Sequence, residues 1–168
     1  MADADGIIEH VPHLRRYARA LTGDFASAED LVQDTIERGW KRMALWRPGS
    51  NLRAWLFTIM HNLYINQLKA GQRRSSMGTE QRALDVPVSS PQDHRLELID
   101  LNKALQRLPC EQREVVLLIG LEQMSYVEAA KVLGVPVGTV MSRLSRGREQ
   151  LRSMINRANG PAQLKVIK

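Results

Sequence analysis

The stretch Ser125 to Leu151, SYVEAAKVLGVPVGTVMSRLSRGREQL, admits few folds. Ser125 suits a helix N-cap, because its hydroxyl can accept from an unpaired first-turn amide. Glu128 stands three residues on, where a capping-box carboxylate belongs. Ala129, Val132 and Leu133 give one apolar face at helical spacing. Gly134 follows where a helix end favours a left-handed residue, and Pro136 cannot continue that helix but suits the approach to the next. Val137, Val140, Leu144 and Leu151 then form the inward face of a second helix. Thr139, Ser142, Arg143, Arg146 and Arg148 form its outer face, with Arg152 beyond. Small Ala129 and Ala130 let the helices approach closely, which makes this a helix-turn-helix pattern. Hydroxyls and arginines on the outer face fit a major groove, where Arg grips phosphate or guanine. In isolation, an ordinary helical hairpin with a solvated basic face reads the same way.

Composition narrows the class. The 168 residues allow one domain or two small ones, and 43% are hydrophobic, enough for packed cores. Few aromatics and long helix-friendly runs point to an all-α chain. A net charge of +6 and a pI near 9.9 favour a polyanionic partner. Cys110 is the sole cysteine, which rules out an internal disulfide and a cysteine-rich zinc site. The acidic start, MADADGIIEHVPHLRR, holds too short an apolar run for a signal peptide. No stretch approaches the length of a membrane span, so a cytoplasmic location is expected.

Upstream of the helix-turn-helix, the spacing predicts a first helix over Ile7–Leu21, with Ile7, Ile8, Val11, Leu14, Tyr17, Ala18 and Leu21 inward. A second is expected over Ser27–Arg42, with Ser27 as cap, Glu29 and Asp30 in the first turn, and Leu31, Ile36 and Trp40 inward. Gln33, Asp34, Glu37 and Lys41 form a polar stripe. Trp46 to Leu52, WRPGSNL, reads as a loop. A third helix is expected over Leu52–Leu68, with Trp55, Leu56, Ile59, Leu63 and Ile65 inward and a basic end at Lys69, Arg73 and Arg74. Clustered Gly78, Pro87, Ser89, Ser90 and Pro91 make Ser75–Asp93 a flexible tether. Helices over His94–Leu108 (Leu96, Ile99, Leu101, Ala104, Leu105 and Leu108 apolar) and Glu111–Leu121 (Val115, Val116, Leu118, Ile119) precede the helix-turn-helix. Asn159-Gly160-Pro161 ends the last helix. The expected organisation is thus two small helical domains, 1–74 and 94–158, a linker at 75–93 and a mobile tail at 159–168.

Three blocks, AEDLVQDTIERGWKR, RPGSNLRAWLFTIMHN and LPCEQREVVLLIGLEQMSYVEAAKVLGVPVGTVMSRLSRGREQL, in that order and with a variable linker before the third, resemble the extracytoplasmic-function sigma factors of bacterial RNA polymerase. The resemblance runs from the first helix to about Arg157. It implies that the chain binds core polymerase and directs promoter-specific initiation by reading −10 and −35 elements. Gln33, Asp34 and Glu37 match the helix that grips the β′ clamp helices, and the β subunit is a further implied contact. Trp46, Arg47, Ser50 and Asn51 lie in the loop that captures a base flipped from the −10 element, with Asn62 beside that pocket. Flipping costs a few kcal/mol, repaid by stacking and hydrogen bonds. Taken alone, Trp46 reads more naturally as a core or interface tryptophan, and Trp40 and Trp55 are assigned to the core. A lone His61 on a helix reads as surface. Tyr126, Val127 and Glu128 match the start of the helix abutting the −35 duplex; Thr139, Met141, Ser142, Arg143, Ser145 and Arg146 match the groove-entering helix. Met141 stands where relatives often carry Lys or Arg, which leaves either a thymine-methyl contact or weaker phosphate affinity.

The resemblance further implies an anti-sigma factor as regulator, by analogy. No nucleophile–base pair, phosphate-binding glycine loop or metal-ligand spacing stands out, so no catalytic role, metal or cofactor is expected. A two-domain repressor would use the same helix-turn-helix on paired half-sites. It has no evident use for the acidic stripe and the Trp-Arg-Pro-Gly loop. A nucleic-acid enzyme would need metal-binding carboxylates or a phosphate loop; Asp30, Asp34 and Glu37 mimic a carboxylate site, but on a helix they read as a solvated or partner-facing stripe.

Overall fold

The computed structural model describes residues 2–76 and 93–158; the expected tether and tail fall otherwise outside the described residues. Its helices are α1 (Ala2–Thr22), α2 (Phe25–Lys41), α3 (Leu52–Ser76), α4 (Asp93–Arg107), α5 (Cys110–Val116), α6 (Tyr126–Leu133) and α7 (Val137–Ala158). A 3-10 turn covers Met43–Leu45 and a π-helical turn Leu117–Leu121. No strand occurs among the described residues. The architecture is all-α, in two helical modules, the second carrying the helix-turn-helix α6–α7.

In the first module, α1 lies along α2 and both meet α3. Leu14, Tyr17, Leu21, Leu31, Leu56, Phe57 and Met60 are fully enclosed. Burying each Leu or Phe of this kind gains about 1.5–3 kcal/mol. Tyr17 meets Phe57 edge to face at 5.1 Å, the geometry that ring quadrupoles favour. α1 ends at Gly23, whose φ of 71° is the left-handed conformation a helix stop uses. In the second module α7 packs on α5, α6 and α4. Buried Gly147 makes the α5 contact possible: a Cβ there would lie 2.7 Å from Val116 Cγ2.

Several expectations are corrected. Asp24, not Ser27, caps α2: its carboxylate accepts from the Ser27 amide at 2.9 Å and from the Ser27 hydroxyl at 2.7 Å. Glu29 and Asp30 therefore lie beyond the first turn, and Glu29 instead takes Arg15 and Arg19 of α1. Trp40 is 51% exposed, because Gly39 rather than Trp40 faces Leu56. Ile8, Leu101 and Val137 also face outward. α3 runs on to Ser76, so Ser75 and Ser76 are helical, not tether. Asp93 likewise opens α4. The side chains of Leu96 and Ile99 lie outside those described. The helix expected to reach Leu121 opens after Val116 into the π-helical turn, where the Glu122 amide donates back to the Leu117 carbonyl at 3.0 Å.

The modules are packed together. α3 lies against α6, and α1 against α4 and the π-helical turn, so buried residues of both modules form one hydrophobic cluster.

Candidate nucleic-acid interface

The loop between α2 and α3 is shaped by local bonds. The Trp46 amide donates to the Met43 carbonyl at 3.0 Å, and the Ser50 hydroxyl to the Arg47 carbonyl at 2.7 Å. Gly49 has a φ of 85°, open to glycine at no steric cost. Asn51 closes the loop by capping α3: its Oδ1 accepts from the Ala54 amide at 3.0 Å. Arg47, Ser50, Asn51 and Asn62 are exposed. Trp46 is half-buried, and its indole Nε1 is enclosed without a hydrogen-bond partner. Trp55 packs partly buried against the core, as expected.

On α2, Gln33, Asp34 and Glu37 are all exposed, and Glu37 pairs with Lys41 one turn on. Gln33 and Glu37 also line a groove of about 420 Å³ with Arg15, Glu29, Val32, Ile36 and Trp40. Its apolar strip next to carboxylates gives α2 a mixed surface rather than a purely solvated one.

The capping box of α6 forms in full. Ser125 Oγ accepts from the Glu128 amide at 3.1 Å, and Glu128 Oε2 accepts from the Ser125 amide at 2.9 Å. Gly134 ends α6 at a φ of 65°. On α7, Met141, Ser142, Ser145 and Arg146 are exposed, whereas Thr139 and Arg143 are half-buried. The Ser142 hydroxyl donates to the Thr139 carbonyl, and Arg143 lies 3.6 Å from Glu111. Tyr126 joins Met141, Ser145, Arg148, Glu149 and Arg152 around a cleft of about 380 Å³, floored by Leu144. The fold thus brings the α6 start and the outer face of α7 to one surface.

The two sets of residues also meet each other. Glu128, bound to Ser125 through Oε2, takes the Asn51 side-chain amide on Oε1 at 2.9 Å. The Ser125 amide, the Ser125 hydroxyl and the Asn51 amide hold the Glu128 carboxyl below its ordinary value, with the Arg53 charge adding to this. Glu122, fully buried in its side chain, takes Arg53 Nη2 at 2.6 Å and Arg16 Nε at 3.1 Å, with His13 Nδ1 at 3.3 Å. His61 is not a plain surface histidine: its Nδ1 donates to buried Glu114 at 2.6 Å. Arg113 donates to the Leu21 carbonyl and Gln106 to the Ala20 carbonyl, both at the end of α1. Burying a carboxylate costs several kcal/mol unless it is paired, and Glu122 and Glu114 each find that partner on the first module. None of Arg16, Arg53, Glu114 and Glu122 stands out in the sequence. Cys110 is half-buried, and burial, then the Glu114 carboxylate, push its thiol up to about 11, which keeps it in the thiol form at neutral pH.

Among the described residues there is no cluster of three metal-ligating side chains, and no helix is long and apolar enough to cross a membrane. An all-α fold with an exposed, basic helix-turn-helix is the arrangement of a DNA-binding protein. Residues 7–61 match the family model described as the sigma2 domain of PhyR, and residues 98–151 the model of sigma-70 region 4. The chain is 37% identical over 151 residues to the ECF RNA polymerase sigma factor EcfG of Rhodopseudomonas palustris, covering 90% of this chain and 83% of the relative. The sigma factor SigL of Mycobacterium tuberculosis is 34% identical, with 86% and 83% covered. Among solved structures, the sigma factor RpoE in complex with the anti-sigma factor NepR from Bartonella quintana superposes with a TM-score of 0.79 at 37% identity, covering 90% of this chain and 94% of that one. CnrH in complex with the cytosolic domain of CnrY gives 0.69 at 28% identity, with 95% and 90% covered. The chain belongs to the extracytoplasmic-function sigma factor family, and so is a non-enzymatic factor of transcription initiation.

Proposed function

We propose that the chain binds core RNA polymerase through the α2 stripe Gln33, Asp34 and Glu37, and directs it to promoters. In this reading Trp46, Arg47, Ser50, Asn51 and Asn62 serve the −10 strand, while Tyr126, Glu128, Thr139, Met141, Ser142, Arg143, Ser145 and Arg146 serve the −35 duplex. The observation that carries it is the distribution of surfaces: a mixed acidic and apolar face on α2, a polar loop with an adjacent exposed amide at Asn62, and an exposed basic α7. A repressor needs only the last. Arg146 is exposed and fits direct contact with DNA; Arg143, shared with Glu111, fits an orienting role.

Regulation by an anti-sigma factor belongs to the same proposal. One neighbour that superposes on this chain was solved with the anti-sigma factor NepR, and another, CnrH, with the cytosolic domain of CnrY. The exposed apolar side chains Trp40 and Phe25 offer such a partner a foothold. A cytoplasmic site of action, beside polymerase and promoter, follows from the proposal.

The test is run-off transcription from a promoter library with purified core polymerase. The chain is expected to produce transcripts from a subset sharing a −10 and a −35 sequence. Tight binding of the free chain to palindromic duplex sites, with no polymerase-dependent transcript, would favour the repressor reading instead.

A further inference from the structure

Resting on the promoter reading above, we propose that Arg16 and Arg53 form a phosphate site for the melted strand, and that Glu122 plugs it in the closed chain. The site lies on α1 and the first turn of α3, two residues from Asn51. Arg53 Nη2 donates to both the carboxylate and the backbone carbonyl of Glu122, each at 2.6 Å. Arg16 donates to the carboxylate at 3.1 Å and to the Leu121 carbonyl at 3.3 Å. His13 approaches the same carboxylate, and burial together with the nearby His13 and Arg53 lowers the affinity of His10 for a proton. The first module thus presents a cluster of cationic side chains to whatever anion faces it.

Glu122 satisfies the donors of that cluster incompletely. Arg53 Nε is buried and has no hydrogen-bond partner, an unmet donor of a group built for bidentate recognition. A phosphate offers more acceptor oxygens than a carboxylate and is the anion that a strand held by Asn51 and Asn62 brings along. Arg53 is also fixed over the Phe57 ring, at 5.6 Å from its centre, so its fork is preorganised. Glu122 comes from the other module, carried inward by the π-helical turn. The companion contact points the same way: the Asn51 amide that would read a base is held by Glu128. Closure and strand binding therefore compete for the same donors, and the apparent affinity for DNA falls with the fraction of chain that is open.

The probe is a short fluorescein-labelled single strand of mixed sequence, which senses phosphate contacts independently of promoter sequence. Anisotropy titrations compare the full-length parent, Glu122→Gln, and Glu122→Gln combined with Arg16→Gln and Arg53→Gln. Glu122→Gln is expected to bind about tenfold tighter than the parent by raising the open fraction. The combined variant should forfeit that gain, with a log K against log salt slope shallower by about 0.7 for each phosphate no longer neutralised. No gain on Glu122→Gln, or a gain that survives removal of both arginines, would overturn the proposal. If Glu122→Gln does not fold, Arg53→Gln in the polymerase holoenzyme puts the same question: an unchanged salt slope for single-strand binding overturns the site, and a shallower one supports it. Absence of promoter-dependent transcription while these affinities behave as stated would remove the promoter reading and leave the phosphate site standing.

Discussion

At the scale of single residues, the bonds that decide local structure differ in how far along the chain they reach. The Ser125–Glu128 capping box is legible in the sequence because both partners sit within one helical turn. The cap of α2 is open to confusion, since Asp24 and Ser27 are both capping residues at adjacent candidate starts. The structure places Ser27 as donor and Asp24 as acceptor. Asp24→Ala should therefore lower stability by about 1 kcal/mol in urea denaturation, and Ser27→Ala by clearly less. Glu122 is not legible: its arginine partners lie 106 and 69 residues away, and nothing local marks it. Glu128 carries a pH dependence of definite sign. Its folded carboxyl is depressed below 4.5, so its stabilising contribution is present above that pH and disappears as pH falls through the folded value. A pH titration of the Asn51–Glu128 contact by side-chain amide NMR should show it intact at neutral pH and released in acid; Glu128→Gln should flatten that response.

At the scale of elements, periodicity locates every helix of the described residues but not every face. The spacing of Trp40 with Leu31 and Ile36 points it inward, yet Gly39 takes the close approach to Leu56 and turns the indole out. The π-helical turn is equally hidden, because LLIGL reads as plain helix, although it ends on buried Glu122. Gly147 looks like an ordinary surface residue between arginines, but it is the point where α7 touches α5. Gly147→Ala should destabilise the chain by about 1–3 kcal/mol, read as a lowered midpoint in thermal or urea unfolding, since stiff Val116 must yield. On the outer face of α7, Arg146→Ala should weaken −35 binding by about 1–3 kcal/mol and relax sequence preference if the contact is to a base edge, measured by competition binding of the holoenzyme. A weakening that is equal for all sequences would instead mark a phosphate contact.

At the scale of the whole molecule, the closed arrangement of the modules cannot be read from the sequence at all. The hydrophobic pattern within each module marks its own core, whereas the contacts between modules join a shared apolar cluster to a few charges and amides whose partners lie far apart in sequence. Those contacts engage Asn51 and Glu128, each assigned to a different promoter element, so the described state is one in which neither is wholly available to DNA.

The central claim is a division of labour on the first module: exposed α2 engages polymerase, and the loop with Asn62 engages the melted strand. Permanganate footprinting of a promoter, run beside a polymerase pull-down for Asp34→Lys and Asn62→Ala, tests it most directly. Asp34→Lys should fold normally and fail to assemble, because charge reversal against a basic partner costs on the order of several kcal/mol. Asn62→Ala should assemble normally and leave the −10 thymines unreactive. If Asp34→Lys assembles like the parent and both variants melt promoter DNA as the parent does, the claim is wrong.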